Sequence, residues 1–253
     1  MDTVLVNIGN THTQIVLPCC GLTPQTVMRF STSRFPDDLP VGSSVVSVLR
    51  SGRVFAASVV PAAAARLVGF CGGPDRVRFL SASDVSGIDF SRVDVRTLGA
   101  DRIANAAAAV TVTMPPVLVL DCGTALTLEA VDGDRRFRGG MIAPGRRLSR
   151  LVLHEHTAQL PWVEMSDSRP GALGVSTAAA IRAGVDLGVL AAVRGLVDEA
   201  RSALGARSCP VLVTGGDASY FCAHLEEVTP APPFFTLLGM SAIARALFPE
   251  ISA

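Results

Sequence analysis

The sequence predicts an α/β fold built from two copies of one domain. A buried strand, a glycine turn and a returning strand occur at 4–17 and again, about 114 positions later, at 117–128. In each copy the first strand ends in an amide or carboxylate residue, and a glycine follows two positions later. Pro115 and Pro116 separate the copies, because proline interrupts helices. We therefore expect domains at 1–114 and 115–253, with a ligand-binding cleft between them.

The other elements follow from hydrophobic periodicity and from turn residues. Short apolar runs bounded by turn residues predict further strands, which are 26–32, 53–60, 137–143 and 210–214. Longer segments with apolar residues every three or four positions predict helices, which are 62–70, 101–112, 146–156, 173–204 and 237–247.

The composition is that of a globular, enzyme-sized protein. A chain of 253 residues with 49% apolar side chains can bury a full core without disulfides, so the six cysteines are expected to be reduced thiols. Equal numbers of acidic and basic residues, 22 of each, provide no electrostatic basis for binding nucleic acid or an anionic membrane. We find no uncharged apolar stretch of about 20 residues. We therefore expect a soluble, cytoplasmic protein with no nucleic-acid or membrane partner.

Every basic residue is arginine, and the chain contains no lysine. This absence excludes a P-loop, which needs lysine on the nucleotide phosphates, and it excludes Schiff-base, pyridoxal-phosphate and biotin chemistry. Phosphate can still be held by backbone N–H groups, hydroxyls and bound cations.

The two glycine turns are candidate phosphate-binding loops. The first, at 7–11, reads Asn-Ile-Gly-Asn-Thr, and its glycine would let backbone N–H groups approach a phosphate. The second, at 121–125, reads Asp-Cys-Gly-Thr-Ala, and Asp121 is suited to a hard cation that bridges phosphate oxygens. Each turn alone is also consistent with a plain β-turn, but two copies facing one cleft favour phosphate binding.

Two further segments carry candidate site residues. The sequence Gly-Ala-Asp-Arg at 99–102 opens a predicted helix. Asp101 there could cap the helix or accept a hydroxyl proton, and Arg102 could be solvated or pair with a substrate anion. Gly215 and Gly216, directly after a strand, would either form a tight turn or let a flat ligand lie against the backbone.

Taken together, these motifs resemble those of the type III pantothenate kinases. In that family an Asp-x-Gly-Asn-Thr turn binds phosphate, Gly-x-Asp-Arg holds pantothenate, and Asp-x-Gly-Thr-Ala binds phosphate and a monovalent cation. The resemblance covers nearly the whole chain. Its further matching segments are 58–61, 139–145, 157–161, 176–177 and 214–216.

The resemblance implies a fold, a reaction and cofactors. The fold would be a pair of actin-like (ribonuclease H-like) ATPase domains. The reaction would be transfer of phosphate from ATP to pantothenate, the first step of coenzyme A synthesis. It would require Mg²⁺ and a monovalent cation, K⁺ or NH₄⁺, and the protein would be a homodimer.

The resemblance also implies roles for individual residues. Asp101 would be the general base, and Asp121 would hold the monovalent cation. The pantothenate contacts would be Gly99, Ala100, Asp101, Arg102 and Thr177. The ATP contacts would be Asn7, Ile8, Gly9, Asn10, Thr11, His12, Thr13, Gln14 and Thr124.

Two positions depart from the family pattern. Asn7 replaces a carboxylate that would hold magnesium through water, so an acceptor oxygen is kept but a charge is lost. The family places an aromatic residue shortly before Gly-x-Asp-Arg, and the nearest here is Phe90. These departures leave two alternatives to a magnesium-demanding pantothenate kinase. One is a non-catalytic protein that binds nucleotide or pantothenate, and the other is a related sugar or acetate kinase, which the pairing of 99–102 with Thr177 disfavours.

Overall fold

The computed structural model describes residues 3–17, 22–23 and 25–248, and these form two compact units. The first unit contains the described residues up to Met114, Arg135–Phe137 and those from Pro233 onward. The second unit contains Pro115–Asp134 and Arg138–Pro232.

Strands and helices alternate along the described chain. The strands are β1 (Thr3–Ile8), β2 (His12–Val16), β3 (Met28–Ser31), β4 (Arg53–Ser58), β5 (Val77–Phe79), β6 (Val117–Cys122), β7 (Ala125–Val131), β8 (Phe137–Pro144), β9 (Val211–Thr214) and β10 (Thr229–Pro230). The helices are α1 (Ser44–Ser51), α2 (Pro61–Phe70), α3 (Ala100–Val112), α4 (Arg146–Glu155), α5 (Thr177–Leu204), α6 (Ala218–His224) and α7 (Phe235–Leu247).

The two units contain sheets of the same topology. The first sheet has the order β3-β2-β1-β4-β5, and the second has the order β8-β7-β6-β9-β10. The central strands β1 and β6 each pair antiparallel with the next strand in the chain, β2 or β7. They pair parallel with β4 and β9 on the other side. The predicted duplicated α/β architecture with actin-like domains is therefore confirmed.

Most predicted elements are present, with bounds shifted by a few residues. The largest shift is in the long helix, which begins at Thr177 rather than 173 because the Ser176 hydroxyl accepts the Ala179 N–H and caps it. Sequence reasoning missed the short elements α1, α6, β5 and β10. In α1, valines favour strand locally, but the Ser43 cap and the burial of Val45 and Leu49 on one face stabilise a helix.

The predicted second domain, 115–253, differs from the second unit at two places. Helix α7 packs on α3 in the first unit, where Thr236 donates a hydrogen bond to the buried Asn105 side chain at 2.9 Å. Arg135–Phe137 also belongs to the first unit, because the backbone at 135–137 pairs with Asp89 through bonds of 2.9 and 2.8 Å. Apolar periodicity indicates that a helix buries one face, but it does not indicate which sheet it covers.

The alternating direction of side chains along β1 decides which face of the first sheet carries Asn7. Val4, Val6 and Ile8 are fully buried among side chains of α1 and α2. Successive side chains of a strand point to opposite faces, so Asn7 lies on the other face of the sheet, together with α3 and α7. The packing of the first unit thus places Asn7 and α3 on the same side.

Within the described ranges, no helix combines the length and the apolar character that a bilayer-spanning segment needs.

Two helical glycines allow a test of the contact between α3 and α7. A Cβ on Gly239 of α7 would overlap the carbonyl oxygen of Ala104, whereas a Cβ on Gly69 of α2 would meet nothing within 4 Å. We expect Gly239→Ala to lower the free energy of unfolding by about 1–3 kcal/mol through overpacking. Gly69→Ala should raise it by about 0.5–1 kcal/mol, since alanine loses less backbone entropy. Urea denaturation measures both, and equal stability of the two variants would contradict the close packing of α7 on α3.

Candidate active site

The first turn connects β1 to β2 and closes on its own backbone. The Gly9 N–H donates to the His12 carbonyl at 3.0 Å, and the Thr32 hydroxyl donates to the Gly9 carbonyl at 2.7 Å. A Cβ on Gly9 would lie 3.2 Å from the His12 oxygen, which is tighter than most real contacts. Glycine therefore lets the turn keep this compact shape.

The predicted nucleotide contacts in this turn fall into two groups. Asn10, Thr11 and His12 are exposed at its tip. Ile8 and Thr13 are fully buried in the first unit, side chain and backbone alike. The structure therefore leaves the tip of the turn as the part of this segment that a ligand can reach.

Side-chain hydrogen bonds set the chemistry of the turn. Asn7 donates to the Gln14 side-chain oxygen at 3.4 Å. The Arg29 guanidinium, which can only donate, bonds His12 Nδ1 at 2.9 Å and so leaves the His12 proton on Nε2. Burial and the charge of Arg29 both lower the pKa of His12. His12 is therefore a neutral Nε2 donor at pH 7.

The acid of the Gly-Ala-Asp-Arg motif lies in the first turn of α3. Gly99 is the N-cap, so the possible role of Asp101 as the cap residue is wrong. The Asp101 carboxylate instead accepts the Arg102 backbone N–H at 2.8 Å. A Cβ on Gly99 would lie only 2.5 Å from Asp101 Oδ1, so glycine is required for the carboxylate to take this position.

Burial raises the pKa of Asp101 above its ordinary value. The Arg102 N–H and the Arg102 charge oppose this effect, but the loss of water around the carboxylate is the larger influence. A carboxylate with a raised pKa is a stronger proton acceptor than an exposed aspartate.

Val59 connects the N-cap of α3 to the end of β1. Its N–H donates to the carbonyl of Ile8 at 3.1 Å, and its side-chain Cγ1 would lie 3.6 Å from a Cβ on Gly99. The end of β1 and the beginning of α3 are therefore neighbours within the first unit. The sequence showed both motifs, but not the residue that connects them.

The aromatic residue next to Arg102 is Phe137 rather than Phe90. The Arg102 guanidinium carbon lies 5.9 Å from the centre of the Phe137 ring, and Phe137 packs against Phe90 with ring centres 5.3 Å apart. Sequence reasoning missed Phe137, because it lies far along the chain and was assigned to a strand of the other domain.

The second turn, in the second unit, repeats the geometry of the first with one residue fewer. Asp121 occupies the penultimate position of β6, as Asn7 does in β1. The Gly123 N–H donates to the carbonyl of Ala125 at 3.1 Å. Thr124, a predicted nucleotide contact, is exposed at the tip of the turn.

Two other backbone segments lie directly against this turn. Gly145, which caps α4, donates its N–H to the Thr124 carbonyl at 3.0 Å, and a Cβ on Gly145 would overlap the carbonyl oxygen of Gly123. Gly215, with a φ of +96°, lies so close that its Cβ would be 2.5 Å from Asp121 Oδ1. The Gly-Gly segment therefore forms one wall of the site around Asp121.

The second turn offers oxygen ligands for a cation. The Asp121 carboxylate and the backbone carbonyls of the turn are the hard donors that K⁺ and Mg²⁺ prefer. In the part of the chain that the structure describes, no three His, Cys, Asp or Glu side chains form a metal-binding group. A divalent ion there would depend on phosphate and water oxygens for its remaining ligands.

Thr177, the remaining predicted pantothenate contact, is the first residue of α5 and is exposed. It belongs to the second unit, whereas Gly99–Arg102 belongs to the first.

The pKa of Asp101 predicts a pH dependence of stability. Because burial raises the folded-state pKa of Asp101, the protonated carboxyl group contributes stability at low pH. This contribution is lost as the pH rises through the folded pKa and the group ionises. Relative to wild type, Asp101→Asn should therefore gain stability between pH 3 and pH 7, as measured by urea denaturation.

The matched control is Asp94→Asn, since Arg96 lowers the pKa of the exposed Asp94. The contribution of Asp94 is present above its unfolded pKa and is lost as the pH falls, so this variant should lose relative stability as the pH rises. The same trend in both variants would contradict the burial of Asp101.

Comparisons with known proteins show the family of this chain. The family model described as type III pantothenate kinase matches residues 3–199. The type III pantothenate kinase of Roseiflexus sp. (strain RS-1) is 38% identical over 164 residues, which are 65% of this chain and 64% of that protein. The match thus spans slightly less than two thirds of that relative. The type III pantothenate kinase of Desulfosudis oleivorans is 30% identical over 253 residues, 96% of this chain and 98% of that one.

Among solved structures, a conserved Baf family protein from Campylobacter jejuni has the same fold, with a TM-score of 0.64 and 17% identity over 98% of this chain and 99% of that chain. The family model and the nearly full-length relative decide the assignment. With its two glycine turns and its acid–arginine motif in their expected structural positions, this chain belongs to the type III pantothenate kinase family.

Proposed function

We propose that this protein transfers a phosphoryl group from ATP to the primary hydroxyl of pantothenate and forms 4′-phosphopantothenate, the first step of coenzyme A synthesis. The observation that carries the proposal is the position of Asp101. This carboxylate, with a pKa raised by burial, lies at the start of α3, whose N-cap Gly99 neighbours Val59, and Val59 is itself bonded to the end of β1.

Asp101 and Arg102 have complementary roles in the proposed reaction. In-line phosphoryl transfer requires positioning, charge neutralisation and one proton acceptor, without a covalent intermediate. Asp101 accepts the proton of the attacking hydroxyl, and Arg102 pairs with the carboxylate of pantothenate. Phe137 packs beside the Arg102 guanidinium and restricts its orientation. Thr177, exposed at the start of α5, is proposed as a further pantothenate contact.

In the proposed ATP site, backbone N–H groups, hydroxyls and bound cations take the role that lysine has in a P-loop. The first turn, at 7–14, and Thr124 in the second turn would hold the phosphates through N–H groups and hydroxyls. Asp121 would hold K⁺ or NH₄⁺ through its carboxylate oxygens. Mg²⁺, when bound, supplies positive charge to the phosphates, and Asn7 offers an amide oxygen on the face of the sheet that carries α3.

We further propose a cytoplasmic homodimer. The second unit exposes large apolar side chains that a dimer interface would cover, since Leu173 and Val175 are 90% and 100% exposed and Ile142 is 67% exposed. A cytoplasmic location gives the enzyme access to the ATP pool that the reaction uses. The mass in solution, measured by sedimentation equilibrium, tests the dimer.

Replacement of the proposed base tests the mechanism. Asp101→Asn keeps the acceptor for the Arg102 N–H but cannot take a proton, so kcat for ADP formation with pantothenate should fall about 10²- to 10⁴-fold. The KM for ATP should stay within about threefold. The matched control is Asp75→Asn, an exposed carboxylate in the same unit, which should retain full turnover. A loss below about threefold for Asp101→Asn would remove Asp101 from this role.

Asn7 favours one other candidate, a non-catalytic protein that binds nucleotide or pantothenate, because the side chain expected to hold magnesium is uncharged. For a working kinase, Asn7→Asp should lower the Mg²⁺ concentration for half-maximal turnover about tenfold, since a charge near a divalent ion contributes on the order of 1–2 kcal/mol.

The K⁺ dependence should not change in Asn7→Asp, which serves as the internal control. If wild type forms no ADP with pantothenate, ATP, K⁺ and saturating Mg²⁺, and Asn7→Asp does not restore turnover, the kinase function fails. Calorimetric binding of ATP or pantothenate without turnover would then support the accessory protein.

A further inference from the structure

A buried cluster of charges joins α4 to α5 in the second unit. Arg146 and Arg150 are one helical turn apart on α4, and both donate to the same oxygen, Oδ1 of Asp186, at 3.0 and 2.8 Å. The side chains of all three residues are fully buried. Isolated buried charges are costly, and even paired ones add little stability compared with apolar residues of similar size. The cluster therefore calls for a role other than stability.

Arg146 extends this cluster to two further segments. Its Nη2 donates to the carbonyl of Ser166 at 2.6 Å, and its Nη1 lies 3.6 Å from Asp217 Oδ1. Its guanidinium also lies 3.4 Å from the centre of the Tyr220 ring. A planar guanidinium with contacts in several directions has little freedom to move.

Both segments that hold the second turn are attached to Arg146. On one side, the preceding residue Gly145 donates to the Thr124 carbonyl and lies against the carbonyl oxygen of Gly123. On the other side, Asp217 donates its N–H to the Cys122 carbonyl at 2.9 Å. A displacement of Arg146 would therefore move the backbone on both sides of the turn.

The cluster also has directional requirements that an apolar contact lacks. Asp186 Oδ1 accepts from two guanidinium groups, so the rotation of α4 is defined by two hydrogen bonds to one atom. An apolar contact would tolerate small rotations and shifts of the helix. Such a shift would alter the carbonyl and N–H positions that the proposed phosphate and cation sites use.

We propose that Asp186 is a positioning residue that, through Arg146 and Arg150, holds the second turn in the conformation that binds ATP and the monovalent cation. The proposal rests on the proposed function for the identity of the ligands. It assigns no ligand contact to the three residues themselves, which are buried. It accounts for why charges, rather than apolar side chains, connect α4 to α5.

The first experiment separates nucleotide binding from the chemical step. Asp186→Asn keeps the shape and one acceptor but removes the carboxylate that both buried arginines share, so that Arg146 keeps only Asp217, at 3.6 Å, as an ion-pair partner. We expect the KM for ATP and the K⁺ concentration for half-maximal turnover each to rise about tenfold. The KM for pantothenate should change less than threefold. The matched control is Arg147→Lys, an exposed residue on the same helix between the two buried arginines, which should leave all three constants unchanged.

A second variant separates positioning from folding. In the triple variant Arg146→Met, Arg150→Met and Asp186→Leu, the charges are replaced by apolar side chains, so a fold near wild-type stability is expected. The KM for ATP should nevertheless rise about tenfold. Wild-type stability with a wild-type KM for ATP would overturn the proposal. If the triple variant does not fold, Arg150→Lys, which keeps the charge but not the planar donor geometry, must show the rise in KM, and its absence would overturn the proposal equally.

Calorimetric measurement of ATP binding in the presence of K⁺ tests the positioning role of Asp186 independently of the proposed kinase function. Wild type that binds ATP but does not phosphorylate pantothenate contradicts the function alone. In that case a tenfold weaker ATP affinity of Asp186→Asn still supports the positioning role, and an unchanged affinity overturns it. Wild type that binds no ATP overturns both.

Discussion

The close approach of glycine backbone to carboxylates and carbonyls is the constraint on which both halves of this protein depend. Gly99 makes room for the Asp101 carboxylate, and Gly215 makes room for that of Asp121. Gly145 rests on the second turn where no side chain would fit. At these positions the backbone comes closer than any side chain would allow. A site without lysine depends on such backbone N–H and carbonyl groups to bind phosphates and cations.

The arginines of this chain have very different tasks. Arg146 and Arg150 are fully buried and bond a carboxylate and backbone carbonyls. Arg29 sets the tautomer of His12, and Arg102 lies at the start of α3 beside Phe137. Guanidinium suits these tasks, because its planar donors bond several acceptors at once and its charge persists when buried. The absence of lysine thus excludes some reactions, and the arginines provide the bonds described above.

Much of the candidate site was predictable, because its motifs are short and each depends on local backbone geometry. Asn7 and Asp121 occupy equivalent strand positions, as their equal spacing from a glycine indicated. Phe137 and Asp186 were missed for one physical reason. Each acts on a residue tens of positions away in the chain, and a single sequence carries no periodic signal for such a contact.

For the fold, the sequence by itself determined the two strand–turn–strand repeats, the glycine turns and most helices, because these depend on propensity, periodicity and capping within a few residues. The tertiary structure alone decided that α7 packs on α3 in the first unit, and that α4 is fixed to α5 by buried charges. The physical reason is that an apolar face or a charged side chain can be buried in many places. Only the complementary shape of a partner, such as Gly239 on the backbone of Ala104, selects one of them.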